Sequence, residues 1–139
     1  MEITLVLLKP DCQQKKNVGD VINRFERHGL EICGCKMIDF SEELLKVHYA
    51  HVVDLPVFPK LASYMQSSPV IALALRGENC IARVRDLVGP TDSTKAQKGT
   101  LRGDFGEDKM KNLVHASDST QSAEIELKRF FEDDELFVD

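Results

Sequence analysis

The chain has 139 residues, 42% of them hydrophobic and 29% charged, which is enough for one domain, 1–139, with a core of its own. A formal charge of −5 argues against non-specific binding to nucleic acid or an anionic membrane, which both reward a basic surface, so neither is expected as a partner, although a local basic pocket stays open. The four cysteines show no C-x-x-C pair and no zinc-type spacing with histidine; they read as reduced thiols used as small hydrophobes, which suits a cytoplasmic protein.

Ile3 to Leu8 is rich in β-formers and reads as a buried strand ended by Lys9-Pro10-Asp11. This run and Val70 to Leu75 are too short for a membrane span, and the acidic second residue is not the basic start of a signal peptide. Asn17 can cap a helix in which Val18, Val21, Ile22 and Phe25 recur at helical spacing until Gly29 stops it. Leu30 to Ile38 is a second strand, with Cys33 and Cys35 on one face. Ser41 opens a helix through about Ala50, and Pro59 to Gln66 looks like another. Val70 to Leu75 is a third strand, closed by Arg76-Gly77. A helix from about Glu78 to Val88 turns Ile81, Val84 and Val88 inward and ends at Gly89-Pro90. Gly89 to Lys111 is polar with little periodicity, and loops of that length inside a domain are usually functional. Leu113 to His115 is the fourth strand, Ser119 to about Phe131 the last helix, and "EDDELFVD" a solvated tail.

Without the two inserted helices the order is β-α-β-β-α-β. That is an α+β fold of the ferredoxin-like kind: an antiparallel four-stranded sheet with helices on one face, an inserted helical hairpin and a C-terminal helix.

His115 closes a strand, and Ser117, Asp118 and Ser119 behind it are residue types that cap a helix. On that helix Ala123, Leu127, Phe130 and Phe131 form the apolar stripe, and Glu126 borders it. A carboxylate at the edge of a buried face needs a partner. His115 is one candidate; a bond from one ring nitrogen would fix the tautomer and free the other as a nucleophile or base. Arg129 is the other, and the residues alone do not choose. Lys9, Arg85 and Arg102 could each be surface charges, but together they suit phosphoryl transfer, which needs cations converging on a transferring group. Neither a Walker motif nor a kinase glycine-rich loop occurs, so a nucleotide would be held by side chains.

"NLVHASDS" resembles the N-x-x-H-[GA]-S-D-S signature of nucleoside diphosphate kinases, and "LLKPD", "VINRFERHGLEI", "HYAHV", "SSPVIALALRGEN", "GPTDS" and "GTLRGDFG" match further segments in order. The resemblance runs from Ile3 to about Phe131. It implies ping-pong transfer of the γ-phosphate of a nucleoside triphosphate, usually ATP, onto nucleoside diphosphates. It further implies that His115 is the phosphorylated nucleophile, that Glu126 orients its ring, and that Ser117 bonds that carboxylate. Lys9, Tyr49, Arg85, Thr91, Arg102 and Asn112 would contact phosphates and ribose, with Lys9 and Tyr49 counted among the catalytic groups. Mg²⁺ would ride on the phosphates with Asp118 nearby, the loop 89–111 would shape the site, and the chain would form a tetramer or hexamer of dimers.

Four positions depart from the family pattern: Val57 and Lys109 where base-stacking and apolar residues are common, Cys12 for a small residue, and Ser93 for a loop proline. Phe58, beside Val57, could rotate to take over the stacking, or the Lys109 stem could cover the base. Three other readings compete: a non-catalytic nucleotide- or partner-binding member of the same fold, a histidine phosphocarrier fed by a protein kinase, and a ferredoxin-like small-molecule or RNA-binding module. The retained His115 and cations speak against the first, and the phosphate-facing set against the second. The acidic charge speaks against the third.

Overall fold

The computed structural model describes residues 1–138. Strands β1 (Glu2–Leu8), β2 (Glu31–Ile38), β3 (Val70–Gly77) and β4 (Val114–Ala116) form one antiparallel sheet in the order β2-β3-β1-β4. That is the order expected of a ferredoxin-like split unit. β1 lies in the interior of the sheet, which is why its Leu5 to Leu8 run is apolar without alternation.

The two sides of β1 feed different cores. Val6 and Leu8 pack with Val21 and Phe25 of α2 (Val18–Arg27) and Ile81, Val84 and Val88 of α5 (Cys80–Val88). Leu5 and Leu7 pack with Leu45 of α3 (Glu42–His48), Met65 of α4 (Phe58–Met65), and Leu127, Phe130 and Phe131 on and just after α7 (Thr120–Phe130). Helices therefore cover both faces, where one covered face was expected: the inserted α3–α4 pair and α7 carry apolar stripes that need the second face. Each fully buried side chain such as Phe25 or Leu7 contributes about 1.5–3 kcal/mol.

Several local expectations need correction. Pro10 does not only end β1; it opens α1 (Pro10–Gln14), where its fixed φ and missing N–H suit the first helical position. Gly29 stops α2 as expected, with φ +79°. A bulge in β2 sets Ile32 and Gly34 opposite the consecutive Leu75 and Ala74, so Cys33 is buried while Cys35 is exposed. Residues 89–111 are not featureless: they hold a 3-10 turn at Ser93–Lys95 and α6 (Leu101–Phe105), capped by Thr100. The acidic tail is also docked. Glu135 pairs with Lys36 at 2.7 Å, and the Phe137 N–H donates to the Cys33 carbonyl at 2.8 Å along β2.

Candidate active site

The C-terminal end of β1, the start of β4, α3, α5, α6 and α7 meet around one cleft of about 930 Å³. Every residue that the family resemblance assigns to catalysis, phosphate, ribose or Mg²⁺ lines it, except Ser117. Ser117 is buried directly behind.

β4 carries His115 into the cleft, and α7 brings Glu126 beneath it. His115 Nε2 donates to Glu126 Oε1 at 2.8 Å, and Ser117 Oγ donates to the same oxygen at 2.7 Å. Burial alone would raise the Glu126 carboxyl, but the hydrogen bonds from His115 and Ser117 outweigh it and hold it below the usual glutamate range. Glu126 is thus an anion with His115 as partner; Arg129 bonds elsewhere. His115 Nδ1 makes no protein hydrogen bond among the described residues, so its lone pair is free toward the cleft.

The cations are built in from the backbone outward. Lys9 is 6% exposed, and its Nζ donates to the Met110 carbonyl and to Asn112 Oδ1, each at 2.7 Å. Burial pushes its ammonium down to about 8. Asn112 spends its amide hydrogens on the Thr91 and Lys109 carbonyls, both at 3.0 Å. Arg102 donates to the carbonyls of Asn112 (3.1 Å), Gly89 (3.0 Å) and Val114 (2.7 Å), tying the loop to β4. Its planar fork still leaves two N–H groups for a ligand. Arg85 donates to the Ala116 carbonyl at 3.2 Å and is otherwise exposed on α5. Asp118 accepts from Ser122 Oγ at 2.7 Å, which lowers its carboxyl.

Three supporting groups escaped the sequence reading. Asp11 is 2% exposed; it accepts from the Tyr64 hydroxyl and, at 3.0 Å, from the Leu113 N–H. Leu113 sits at φ +77°, a left-handed conformation that costs a leucine about 1–2 kcal/mol. Asp11 on one side and the Lys9 N–H on the Leu113 carbonyl at 2.9 Å hold it there, between Asn112 and His115. His48, the third, packs against the His115 ring. Partners so far apart in the chain leave no local signal.

Val57 and Lys109 line the cleft, while Phe58 packs into the core beneath α4 and does not face the cleft. Of the two substitutes left open for the missing aromatic, Phe58 therefore does not line the cleft, and Lys109 does.

Residues 2–136 match the family model for nucleoside diphosphate kinase. The chain belongs to the nucleoside diphosphate kinase family. The nucleoside diphosphate kinases of Rhodopirellula baltica and Archaeoglobus fulgidus are each 49% identical to it, over 97% and 98% of this chain and 89% and 90% of theirs. Among solved structures, the Halobacterium salinarum nucleoside diphosphate kinase in complex with CDP superposes with a TM-score of 0.95 at 43% identity, covering 99% of this chain and 91% of that one. The Aquifex aeolicus nucleoside diphosphate kinase gives 0.91 at 40% identity over 97% and 98%. As a nucleoside diphosphate kinase, the chain is a phosphotransferase of nucleotide metabolism, and the non-catalytic reading gives way. No helix among the described residues is long and apolar enough to cross a membrane.

Proposed function

We propose that the chain transfers the γ-phosphate of a nucleoside triphosphate, typically ATP, to nucleoside diphosphates by a ping-pong route through a phosphohistidine at His115. The observation that supports it is the Ser117–Glu126–His115 chain, which holds the proton on Nε2 and leaves the Nδ1 lone pair facing a cleft lined by Lys9, Arg85 and Arg102. In the first half-reaction Nδ1 attacks the γ-phosphorus, the bond to the bridging oxygen breaks, and the nucleoside diphosphate leaves with that electron pair. In the second, a β-phosphate oxygen of another diphosphate attacks the same phosphorus and the N–P bond returns its pair to Nδ1. The Nε2 proton stays shared with Glu126 throughout, so Glu126 offsets the positive charge that develops on the ring. Lys9, Arg85 and Arg102 offset the charge on the phosphoryl oxygens, and Tyr49, Thr91 and Asn112 position phosphate and ribose. Val57 lies against the base.

Two carboxylates line the cleft among the described residues: Glu126 is engaged with His115 and Ser117 through Oε1, and Asp118, which accepts from Ser122 through Oδ1, is the one not bonded to the histidine. A single hard oxygen donor fits Mg²⁺, which takes most of its ligands from phosphates and water. Bound there with a nucleotide, Mg²⁺ would neutralise phosphate charge, with Asp118 holding it directly or through water. Assembly as a homo-oligomer of dimers, a tetramer or a hexamer, belongs to the same proposal; β2 is a sheet edge carrying exposed Met37, a surface a second copy could cover. The unpaired cysteines support a cytoplasmic setting.

Initial rates with ATP varied at several fixed GDP concentrations test the route. Parallel double-reciprocal lines are expected, and intersecting lines would mean direct transfer in a ternary complex.

A further inference from the structure

Glu126 and Arg129 stand three residues apart on α7, a spacing at which carboxylate and guanidinium meet on a helix surface. No ion pair joins them among the described residues. Arg129 Nη1 instead donates to His48 Nδ1 at 2.9 Å, while Glu126 Oε1 accepts from His115 and Ser117. Glu126 Oε2 makes no protein hydrogen bond among the described residues, so an unheld Arg129 has an acceptor close by.

A guanidinium can only donate, so His48 Nδ1 is an acceptor and its proton sits on Nε2. His48 is a neutral imidazole. Phe40, Tyr49 and Phe130 enclose it at centroid distances of 6.0, 4.8 and 5.2 Å, and it meets the His115 ring edge to face at 4.8 Å and 84°. The charged and titratable groups facing it are Arg129 and Glu126 from α7, His115 from β4, and His51 beyond the end of α3. Burial first, and then its neighbours His115 and Arg129, push it down to about 3.

We propose that His48 is a positioning residue that captures Arg129, keeping the guanidinium off Glu126 and leaving that carboxylate to orient His115. The proposal rests on the phosphohistidine reading of His115. Were Arg129 to swing onto Glu126, the carboxylate would become a weaker acceptor for the Nε2 proton, and the ring would lose both its tautomer lock and part of its nucleophilicity.

Two substitutions separate capture from packing. His48→Asn puts an amide oxygen where Nδ1 stood, keeping the acceptor and losing the ring. His48→Phe refills the aromatic box and loses the acceptor. Phosphorylation of each protein by γ-labelled ATP is followed in a single turnover, with thermal melting as the check on folding. His48→Asn should stay within about threefold of the wild type, and His48→Phe should be slower by about 10- to 100-fold, the usual cost of disturbing an orienting group. Adding Arg129→Met to His48→Phe should restore most of the loss, since no guanidinium remains to compete. A packing role predicts the reverse order and no restoration. A wild type that acquires no label overturns the His115 reading and this inference with it. A labelled wild type with His48→Phe unimpaired, or not restored by Arg129→Met, overturns the inference alone. Should His48→Phe not fold, His48→Asn decides: a near-wild-type rate supports capture, and a tenfold loss overturns it.

Discussion

Raising the pH should weaken nucleotide capture early, because Lys9 is the first of the buried cleft cations to lose its proton. Burial pushes its ammonium from the ordinary 10.5 to about 8; Asp11 pulls it back up and Arg102 pushes it down further. Arg102, lowered by burial and by Arg85, reaches only about 10. The drop at Lys9 amounts to about 3 kcal/mol against the charged form. A bound phosphate supplies the missing counter-charge, so above about pH 8 the free protein must take up a proton to make that contact. kcat/KM for ATP should be level up to about pH 8 and then fall by about tenfold per pH unit toward pH 10. kcat at saturation should hold to higher pH, since bound phosphate raises the Lys9 pKa again. Stability has the opposite sign. Between about 8 and 10.5 the unfolded chain carries a lysine proton that the native state lacks, so stability should rise with pH across that window. Steady-state rates with ATP and GDP at several pH values, with urea melts alongside, measure both. A kcat/KM that stays flat to about pH 9.5 would refute the reasoning.

Val57→Phe should lower KM for ATP and GDP by about fivefold, the lower end of what base–aromatic stacking contributes, with kcat little changed because the base is remote from the reacting phosphate. An unchanged or higher KM would mean that Val57 does not face the base. Ser93→Ala should stabilise the chain by about 1 kcal/mol, because the Ser93 hydroxyl is buried with no protein partner among the described residues. The sign is read as a higher urea midpoint at unchanged slope, and a lower midpoint would show that the hydroxyl is satisfied.

The elements with strong periodicity were legible in the sequence. The stripes Val18, Val21, Ile22, Phe25 and Ala123, Leu127, Phe130, Phe131 each turned inward on the expected helix. What escaped was set by single residues or distant contacts. α1 and α6 span five residues each, too few for a periodic signal, and α6 has a glycine inside it. The bulge at Cys33 reverses the facing of Cys35, and nothing local announces it. At the site, the residue types of the cations lining the cleft were readable as chemistry, and Glu126 was readable as a border carboxylate. Its choice of His115 over Arg129 was not, because Arg129 finds its partner in His48, 81 residues away in the chain. Asp11 was hidden for the same reason: Tyr64 is 53 residues away and Leu113 is 102.

The most direct test of the central claim is to incubate the protein with γ-labelled ATP, isolate it, and locate the label. The account predicts an acid-labile phosphate on His115 Nδ1 that unlabelled GDP discharges as labelled GTP, and no label on a folded His115→Ala protein. Transfer activity retained in His115→Ala, or label that GDP cannot discharge, would contradict it.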